Sequence, residues 1–540
     1  MADTSHKDSD SNPKERREMK AGQMSLHGMP SMDEIWGWHQ ELAGMGTRYT
    51  GSKSHEQFIK WLKKKFKAVQ GFTLHTDHLT FRRWLAEPED CSLSIQDPAA
   101  GLSKKVPISY YYPYSGKTGA NGISGRLVDL GRYDPIWYTP GEFWAPAAGA
   151  IALVRVPPCT FTLDFGQLPT GGFVPGQTSP DSLDAAVKYL KDGELVTNPV
   201  FQMFAVVPLL DARQAGVLGV ICIWTGMSDD QVANQYNPIT TGYPTPDGVP
   251  HSNDDTGCPA LWVGDGTGQW LADCAAMGQP SVTLTLKALI ECDATTETIW
   301  GVMRGCRDDG GPGLIVNTHT DGPNVPEENG ALGLLALAHY FSKQKHQRDL
   351  YFVMVTGHFQ ILQFIREIPN SRFVIGNDAT SRWMHDHPEI YQNALAGVTI
   401  EHLGCQRWAD DANGQYRWTG DYEWGTTYTT GRQGSLNLTS LEQRAYLDAV
   451  WHMNHSGAIA HPVVTTLPAP VFYGEGAPLY AGGLGTVSLC PLPSYLLQAG
   501  SRAHPEKLNL DKLDKRLIYG QILSFARTIS ALDAADAEDF

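Results

Sequence analysis

Apolar runs typical of buried strands alternate with helical patterns along much of the chain. Residues 55–70 predict a surface helix, because Phe58, Leu62 and Phe66 fall on one stripe and lysines cover the other side. After residue 280, strands and helices are predicted in turn at 281–290, 299–303, 314–317, 330–341, 350–356, 398–401, 486–489 and 510–532. This alternation is typical of an α/β fold with a mainly parallel central sheet flanked by helices.

Residues 119–286 have a different pattern, with short predicted strands and long loops rich in proline and glycine. A single core rarely grows past about 250 to 300 residues, so a chain of 540 residues predicts more than one domain. We expect a β-rich inserted domain at 119–286 within a larger α/β domain formed by 26–118 and 287–540. The polar residues 1–25 are expected to be a disordered tail, and they lack the apolar core of a secretory signal.

The charge balance argues against two classes of partner. The chain has 42 basic and 58 acidic residues, a net charge of −16, which repels phosphate backbones and anionic lipid. We therefore expect neither nucleic acid nor a membrane as a partner, and no apolar run reaches the roughly 20 residues that span a bilayer. The nine cysteines are scattered, which favours reduced thiols in a cytoplasmic protein.

Ionisable residues follow three of the predicted strands at the point where each strand ends. His319 and Asp321 follow the first strand, His358 the second and Glu401 the third. The carboxyl ends of parallel strands meet at one sheet edge, where α/β proteins bind their ligands. An imidazole with two carboxylates suits zinc, and manganese or iron nearly as well. The sequence therefore predicts a metal site at this edge.

The order of these motifs resembles the zinc aminopeptidase and glutamate carboxypeptidase family, whose relatives include glutaminyl cyclase and the inactive ectodomain of transferrin receptor. That family has a strand with H-x-D, an acidic residue before a helix, strands ending in Glu-Glu and Asp-x-x-Gly, and Tyr-His before the last helix. The similarity covers roughly residues 30–118 and 287–540, and residues 42–52 resemble the family's Arg-x-x-Gly-Ser turn. It implies that the insert is a protease-associated domain.

The resemblance also implies site roles for individual residues. His319 corresponds to the first metal ligand, and Asp321 to the carboxylate that orients its imidazole. Glu328 corresponds to the bridging carboxylate, and Glu401 to the carboxylate of the Asp-x-x-Gly strand. These matches imply one metal, with zinc as the first choice, bound by His319, Glu328 and Glu401.

The ligands specific to a second metal are replaced in this chain. Phe359 follows His358 where the family has Glu-Glu, and Leu496 follows Tyr495 where the family has Tyr-His. His358 is expected to be the general base or a fourth ligand, and Glu327 is an alternative base. His402 is expected to face away from the site, since side chains alternate along a strand.

Aromatic residues are concentrated after the strand that ends at Glu401. They are expected to wall a substrate pocket or to form the core of a small subdomain. The candidates for the pocket are Trp408, Trp418, Trp424, Tyr473 and Tyr495.

The favoured function is that of a mononuclear hydrolase that cleaves an amide, ester or related bond of a small-molecule substrate with a metal-bound water. A lyase, isomerase or cyclase using the same ion is the first alternative, and a catalytically inactive binding or scaffold protein is the second. The oligomeric state is left open, with a homo-oligomer among the expectations.

Overall fold

The computed structural model describes residues 25–112, 114–133, 138–156, 170–172, 207–229, 257–307, 310–358, 378–422, 426–430, 463–465, 474–491, 493, 495–496 and 505–535. The predicted tail lies outside these residues apart from Ser25. Helices in the described ranges are α1 (Met32–Ala43), α2 (Lys53–Lys67), α3 (Pro140–Trp144), α4 (Leu209–Gln214), α5 (Asp265–Met277), α6 (Val325–Glu328), α7 (Gly330–Phe341), α8 (Asp378–Asp386), α9 (Pro388–Gln392), α10 (Ala477–Ala481) and α11 (Lys515–Ala534). None of these helices combines the length and the apolar character needed to cross a bilayer.

The described strands belong to one large sheet and one small hairpin. They are β1 (Phe72–Asp97), β2 (Leu102–Val106), β3 (Tyr110–Tyr111), β4 (Ile123–Arg132), β5 (Ile151–Val156), β6 (Thr170–Gly172), β7 (Gly219–Trp224), β8 (Ala260–Gly264), β9 (Ser281–Met303), β10 (Gly313–His319), β11 (Leu350–Val355), β12 (Ala394–Ile400), β13 (Gln406–Asp410), β14 (Tyr416–Tyr422), β15 (Thr426–Thr430), β16 (Val463–Thr465) and β17 (Thr486–Leu489). The large sheet has the order β3-β8-β7-β5-β4-β9-β11-β10-β12-β17-β15-β16-β6, and off this path β1 pairs with β9 and β2 pairs with β1. Strands β13 and β14 form the hairpin.

Four parallel strands, β11-β10-β12-β17, form the centre of the large sheet. Leu314 and Val316 of β10 pack in one core with residues of α1, α2, α7 and α11. Ile315, between them, packs in a second cluster on the opposite face with Trp383 of α8 and Ile390 of α9. Successive strand residues point to opposite faces, so a strand buried on both faces is apolar throughout. The predicted mainly parallel sheet flanked by helices is confirmed.

A further apolar core is built on the strands β4, β5, β7 and β8, which are parallel to one another. The long strands β1 and β9 connect this region to the central sheet, because β9 pairs with β4 near its beginning and with β11 near its end. The two strands predicted at 281–290 and 299–303 are therefore one strand. This core includes residues from Trp84 of β1 onward, and the domain boundary at residue 118 stays a prediction. The protease-associated identity of this region stays a prediction.

Helix α7 starts close to the end of β12. Its sequence is almost entirely apolar, and nearly every residue is buried. A Cβ atom on Gly330 would lie 2.1 Å from the backbone oxygen of Ile400, so glycine is needed at the first position of the helix. This close approach places the residues before α7 next to the residue that follows β12.

Candidate metal centre

The ends of the central strands bring four ionisable side chains to one edge of the sheet. His319 is the last residue of β10, His358 lies three residues after β11, and Glu401 and His402 follow β12 directly. Two groups of side chains have potential ligand atoms within 4.8 Å of one another, one formed by His319, Glu401 and His402 and the other by His319, Glu327 and His358. The convergence expected at this edge is present.

The imidazoles of His319 and His402 have the same hydrogen-bond arrangement. Nδ1 of His319 donates to the backbone oxygen of Asp321 at 2.9 Å, and Nδ1 of His402 donates to that of Pro491 at 2.6 Å. Each Nε2 therefore carries a lone pair, and neither has a hydrogen-bond partner among the described residues. Histidines that bind metals usually donate the other ring N–H in this way.

The side chain of Asp321 has other hydrogen-bond partners than the expected one. It was expected to orient His319, but the backbone oxygen of Asp321 does so. The carboxylate instead accepts a hydrogen bond from Thr50 Oγ1 at 2.6 Å and others from the backbone nitrogens of Gly357 at 3.1 Å and His358 at 3.4 Å. Asp321 thus links the end of β10 to the end of β11 and to the loop before α2.

The expectation that His402 faces away from the site is wrong. His402 lies beyond the end of β12 and has a φ of +53°, in the left-handed region, so strand alternation no longer applies. Its Nε2 lies 3.7 Å from Glu401 Oε2 and 3.3 Å from Glu327 Oε2. This left-handed conformation brings the imidazole of His402 into the site.

Glu327 lies beside the imidazoles, as a base would, but Glu328 does not lie where the family resemblance placed it. Nε2 of His319 and Nε2 of His358 lie 3.9 Å and 3.7 Å from Glu327 Oε1. Glu328 instead forms a buried ion pair with Arg48, with Nη2 and Oε2 2.8 Å apart. Adjacent helical residues project about 100° apart, so only one of the two can face the imidazoles. The predicted trio of His319, Glu328 and Glu401 is therefore not among the ligand groups found in the described residues.

Glu401 is held by the segment around Glu475. The backbone nitrogen of Glu475 donates to Glu401 Oε1 at 2.5 Å, and the thiol of Cys490 donates to Oε2 at 3.4 Å. Gly474 has a φ of +72°, and a Cβ there would lie 2.5 Å from Glu401 Oε2. Glycine is therefore required for the close packing that fixes the carboxylate.

His358 has a carboxylate partner. Its Nδ1 donates to Glu475 Oε1 at 2.6 Å, and Glu475 Oε2 accepts hydrogen bonds from the backbone nitrogen of Thr380 at 3.2 Å and from its hydroxyl at 2.5 Å. The ring of His358 stacks on that of His319 with the centroids 4.2 Å apart. Glu475 is 117 positions from His358 along the chain, so no local sequence pattern signals the pair.

Burial controls the electrostatics of the site. It lowers the pKa of His319 well below its usual value and that of His402 to about 3, so both imidazoles are neutral. Burial also raises the pKa of Glu401 to about 7 and that of Glu327 well above its usual range. For His358, burial favours the neutral form, but the hydrogen bond and charge of Glu475 and the charges of Glu327 and Glu401 outweigh it and raise the pKa to about 10.

The donor set fits a divalent cation. Ligand atoms around a tetrahedral zinc, with bonds of about 2.0 to 2.2 Å, lie roughly 3.3 to 3.6 Å apart. The spacing of His402 Nε2 from Glu401 Oε2, 3.7 Å, is close to these values. The neutral imidazole nitrogens of His319 and His402 and the buried carboxylate of Glu401 are also the ligand chemistry that such an ion needs.

The predicted pocket residues have different surroundings. Tyr495 is fully buried, and its hydroxyl donates to the backbone oxygens of Gln406 at 2.8 Å and Lys512 at 3.1 Å, so it packs rather than lines an open pocket. Trp408 packs against the main core with Lys512 Nζ 4.7 Å from its ring centroid. Trp418 is 45% exposed on the hairpin. Trp424 and Tyr473 lie outside the described residues.

No protein-family model matches the chain, and no curated protein sequence matches it. Solved structures do share its fold. Peptidase M28 precursor from Shewanella amazonensis matches with a TM-score of 0.59 at 13% identity over 93% of this chain and 97% of its own. A zinc aminopeptidase from Bacillus subtilis matches with a TM-score of 0.55 at 13% identity over 95% and 98%. An aminopeptidase from an Aneurinibacillus species matches with a TM-score of 0.53 at 13% identity over 94% and 96%. The chain therefore has the zinc aminopeptidase fold, as its sequence motifs predicted.

Proposed function

We propose that the chain is a metal-dependent hydrolase in which His319, Glu401 and His402 bind one divalent ion, with zinc as the first choice. The observation that carries this proposal is the pair of buried imidazoles whose Nδ1 atoms are fixed by backbone oxygens and whose Nε2 atoms lack hydrogen-bond partners within the described ranges. Three protein ligands leave a coordination position open, as catalytic zinc sites require. A divalent ion bound there would polarise a substrate carbonyl and lower the pKa of a water molecule.

Glu327 is proposed as the general base. Its side chain is 1% exposed, and both carboxylate oxygens lack a hydrogen-bond partner in the described parts of the chain. It lies beside the proposed ligands His319 and His402 and beside His358. Since burial raises its pKa, the carboxylate is a stronger base than an exposed glutamate.

The pair of His358 and Glu475 is proposed to supply a proton to the leaving group, because the raised pKa of His358 keeps its imidazole protonated near neutrality. His358 Nε2 is 3.7 Å from Glu327 Oε1, and its other nitrogen donates to Glu475. A carboxylate that accepts from one ring nitrogen fixes both the tautomer and the orientation of the imidazole. After His358 has donated its Nε2 proton to the leaving group, the proton that Glu327 took from water would restore it.

A small-molecule amide, ester or related compound is the proposed substrate. The site residues are buried, and even His358 is only 5% exposed, so a compact reactive group fits this environment better than an extended surface. The structures of similar fold are peptidases by name, which favours bond hydrolysis. The replacement of two family ligands by Phe359 and Leu496 favours one ion over two.

The reaction class can be tested with zinc-loaded protein and a panel of chromogenic esters and anilides in oxygen-18 water. A hydrolase places solvent oxygen in one product. A product without solvent oxygen would favour a lyase, isomerase or cyclase at the same site. Absence of both turnover and bound metal would favour a binding or scaffold protein.

Metal affinity should depend on pH through Glu401. Burial raises the pKa of its carboxyl to about 7, against the opposing charge of His358. Below that pH a proton competes with the ion, so we expect zinc affinity to fall by up to about tenfold per pH unit, with a plateau above it. The pKa of His402 is lowered to about 3, so His402 adds no competition near neutrality. Chelator competition on both sides of pH 7 measures this dependence, and a constant affinity would contradict it.

A further inference from the structure

Arg48 lies fully buried next to the candidate metal centre. Its Nη2 donates to Glu328 Oε2 at 2.8 Å, and neither side chain is exposed. Its Nη1 donates to the backbone oxygen of Leu42 at 3.0 Å and to that of Gly46. The guanidinium therefore connects the end of α1 to α6, because Nη1 donates to the end of α1 and the residues after it, and Nη2 donates to α6.

The backbone of Arg48 holds the same segment at a second point. Its nitrogen donates to the oxygen of Gly322 at 2.9 Å, and the nitrogen of Gly322 donates back to the oxygen of Arg48 at 3.0 Å. Gly322 follows Asp321, whose backbone oxygen orients His319. A Cβ on Gly322 would lie 2.4 Å from Glu327 Cγ, so the loop and α6 are in close contact. Arg48 thus holds residues 321–328 at both ends.

We propose that Arg48 is a positioning residue for the metal centre: its ion pair with Glu328 turns α6 so that Glu327 faces the imidazoles, and α6 in turn packs on Gly322, next to the carbonyl that orients His319. The inference rests on the proposed function, since it assumes that His319 binds the ion. It also explains why two adjacent buried glutamates have different surroundings. One carboxylate is neutralised by Arg48, and the other remains available to the site.

The expected effect is on metal affinity. Residues that orient metal ligands without touching the ion typically change affinity by about 10- to 100-fold when they are replaced. Loss of the Arg48 side chain would keep the backbone bonds to Gly322, but it would leave the buried Glu328 carboxylate without its cation and free α6, which packs on Gly322. Both consequences disturb the orientation of His319 and the position of Glu327.

The test measures zinc affinity of the full-length chain by chelator competition, together with its melting temperature. Arg48→Met should weaken zinc binding by about 10- to 100-fold. In Arg48→Met/Glu328→Met no charge is left unpaired, so thermal stability should recover while zinc binding stays weak. Arg48→Lys keeps the charge but loses the bonds to Leu42 and Gly46, and it should also weaken zinc binding.

Arg155→Met is the matched control, because it breaks another arginine–carboxylate pair, with Asp129 at 2.9 Å, in the region built on β4 and β5. Zinc affinity should be unchanged in that variant. Zinc binding that is unchanged or tighter in the Arg48 variants overturns the inference. Recovery of both stability and zinc affinity in the double variant also overturns it, because the role of Arg48 would then be structural. If the unaltered chain binds no zinc, the proposed function fails instead.

Discussion

Glu327→Gln is expected to keep the bound metal and to reduce turnover by about 10²- to 10⁴-fold, the range typical of removing a general base. The amide has the same shape as the carboxylate but cannot accept the proton. The carboxylate oxygens of Glu327 lie 3.3 to 3.9 Å from the Nε2 atoms of three imidazoles. Because the amide has the same shape, the substitution should leave this packing intact. Turnover of the best chromogenic substrate and metal content by elemental analysis check the two parts of this expectation.

Glu328→Gln serves as the neighbouring comparison. A glutamine at 328 still accepts a hydrogen bond from Arg48, and the side chain does not reach the imidazoles, so turnover should fall much less. Equal losses in the two variants would contradict the assignment of the base. Loss of the metal in Glu327→Gln would show that Glu327 is a ligand.

His402→Ala is expected to reduce zinc affinity by more than about 100-fold, beyond the 10- to 100-fold cost of changing an outer residue. The imidazole contributes a neutral nitrogen whose lone pair points into the site, and alanine offers no donor. His319→Ala should have an effect of the same size. Isothermal titration with zinc measures both.

His387→Ala is a suitable control for these two variants. Its imidazole is 16% exposed and has a hydrogen-bond partner, with Nε2 2.8 Å from Asp77 Oδ2, but it belongs to neither group of potential ligands among the described residues. Zinc affinity should not change in this variant. Full zinc affinity in His402→Ala, together with its loss in Glu328→Ala, would restore the ligand set that the sequence predicted.

The positions of the central elements could be predicted because each depends on a local pattern. The apolar run of α7 was predicted at its observed bounds of 330–341, and β17 at 486–489. Apolar runs that end in His319 and Glu401 placed those residues at one edge of a parallel sheet. The ends of the apolar runs were sufficient to predict that these residues lie close together, since the carboxyl ends of neighbouring parallel strands lie at the same edge of a sheet.

The choice between Glu327 and Glu328 could not be predicted from local sequence. The two residues are adjacent, and Arg48, which binds one of them, lies 280 positions earlier in the chain. The Arg-x-x-Gly-Ser turn that contains Arg48 was recognised in the sequence, but its contact with α6 depends on the tertiary fold. His402 was misplaced for a related reason, because its left-handed backbone conformation ends the strand alternation.

One divalent ion is proposed to bind at His319, Glu401 and His402. The most direct test is elemental analysis of the full-length chain after saturation with zinc and removal of excess ion, alongside a His319→Ala/His402→Ala variant. We expect one zinc per unaltered chain and none in the variant. A stoichiometry of two, no zinc in the unaltered chain, or full retention in the variant would contradict it.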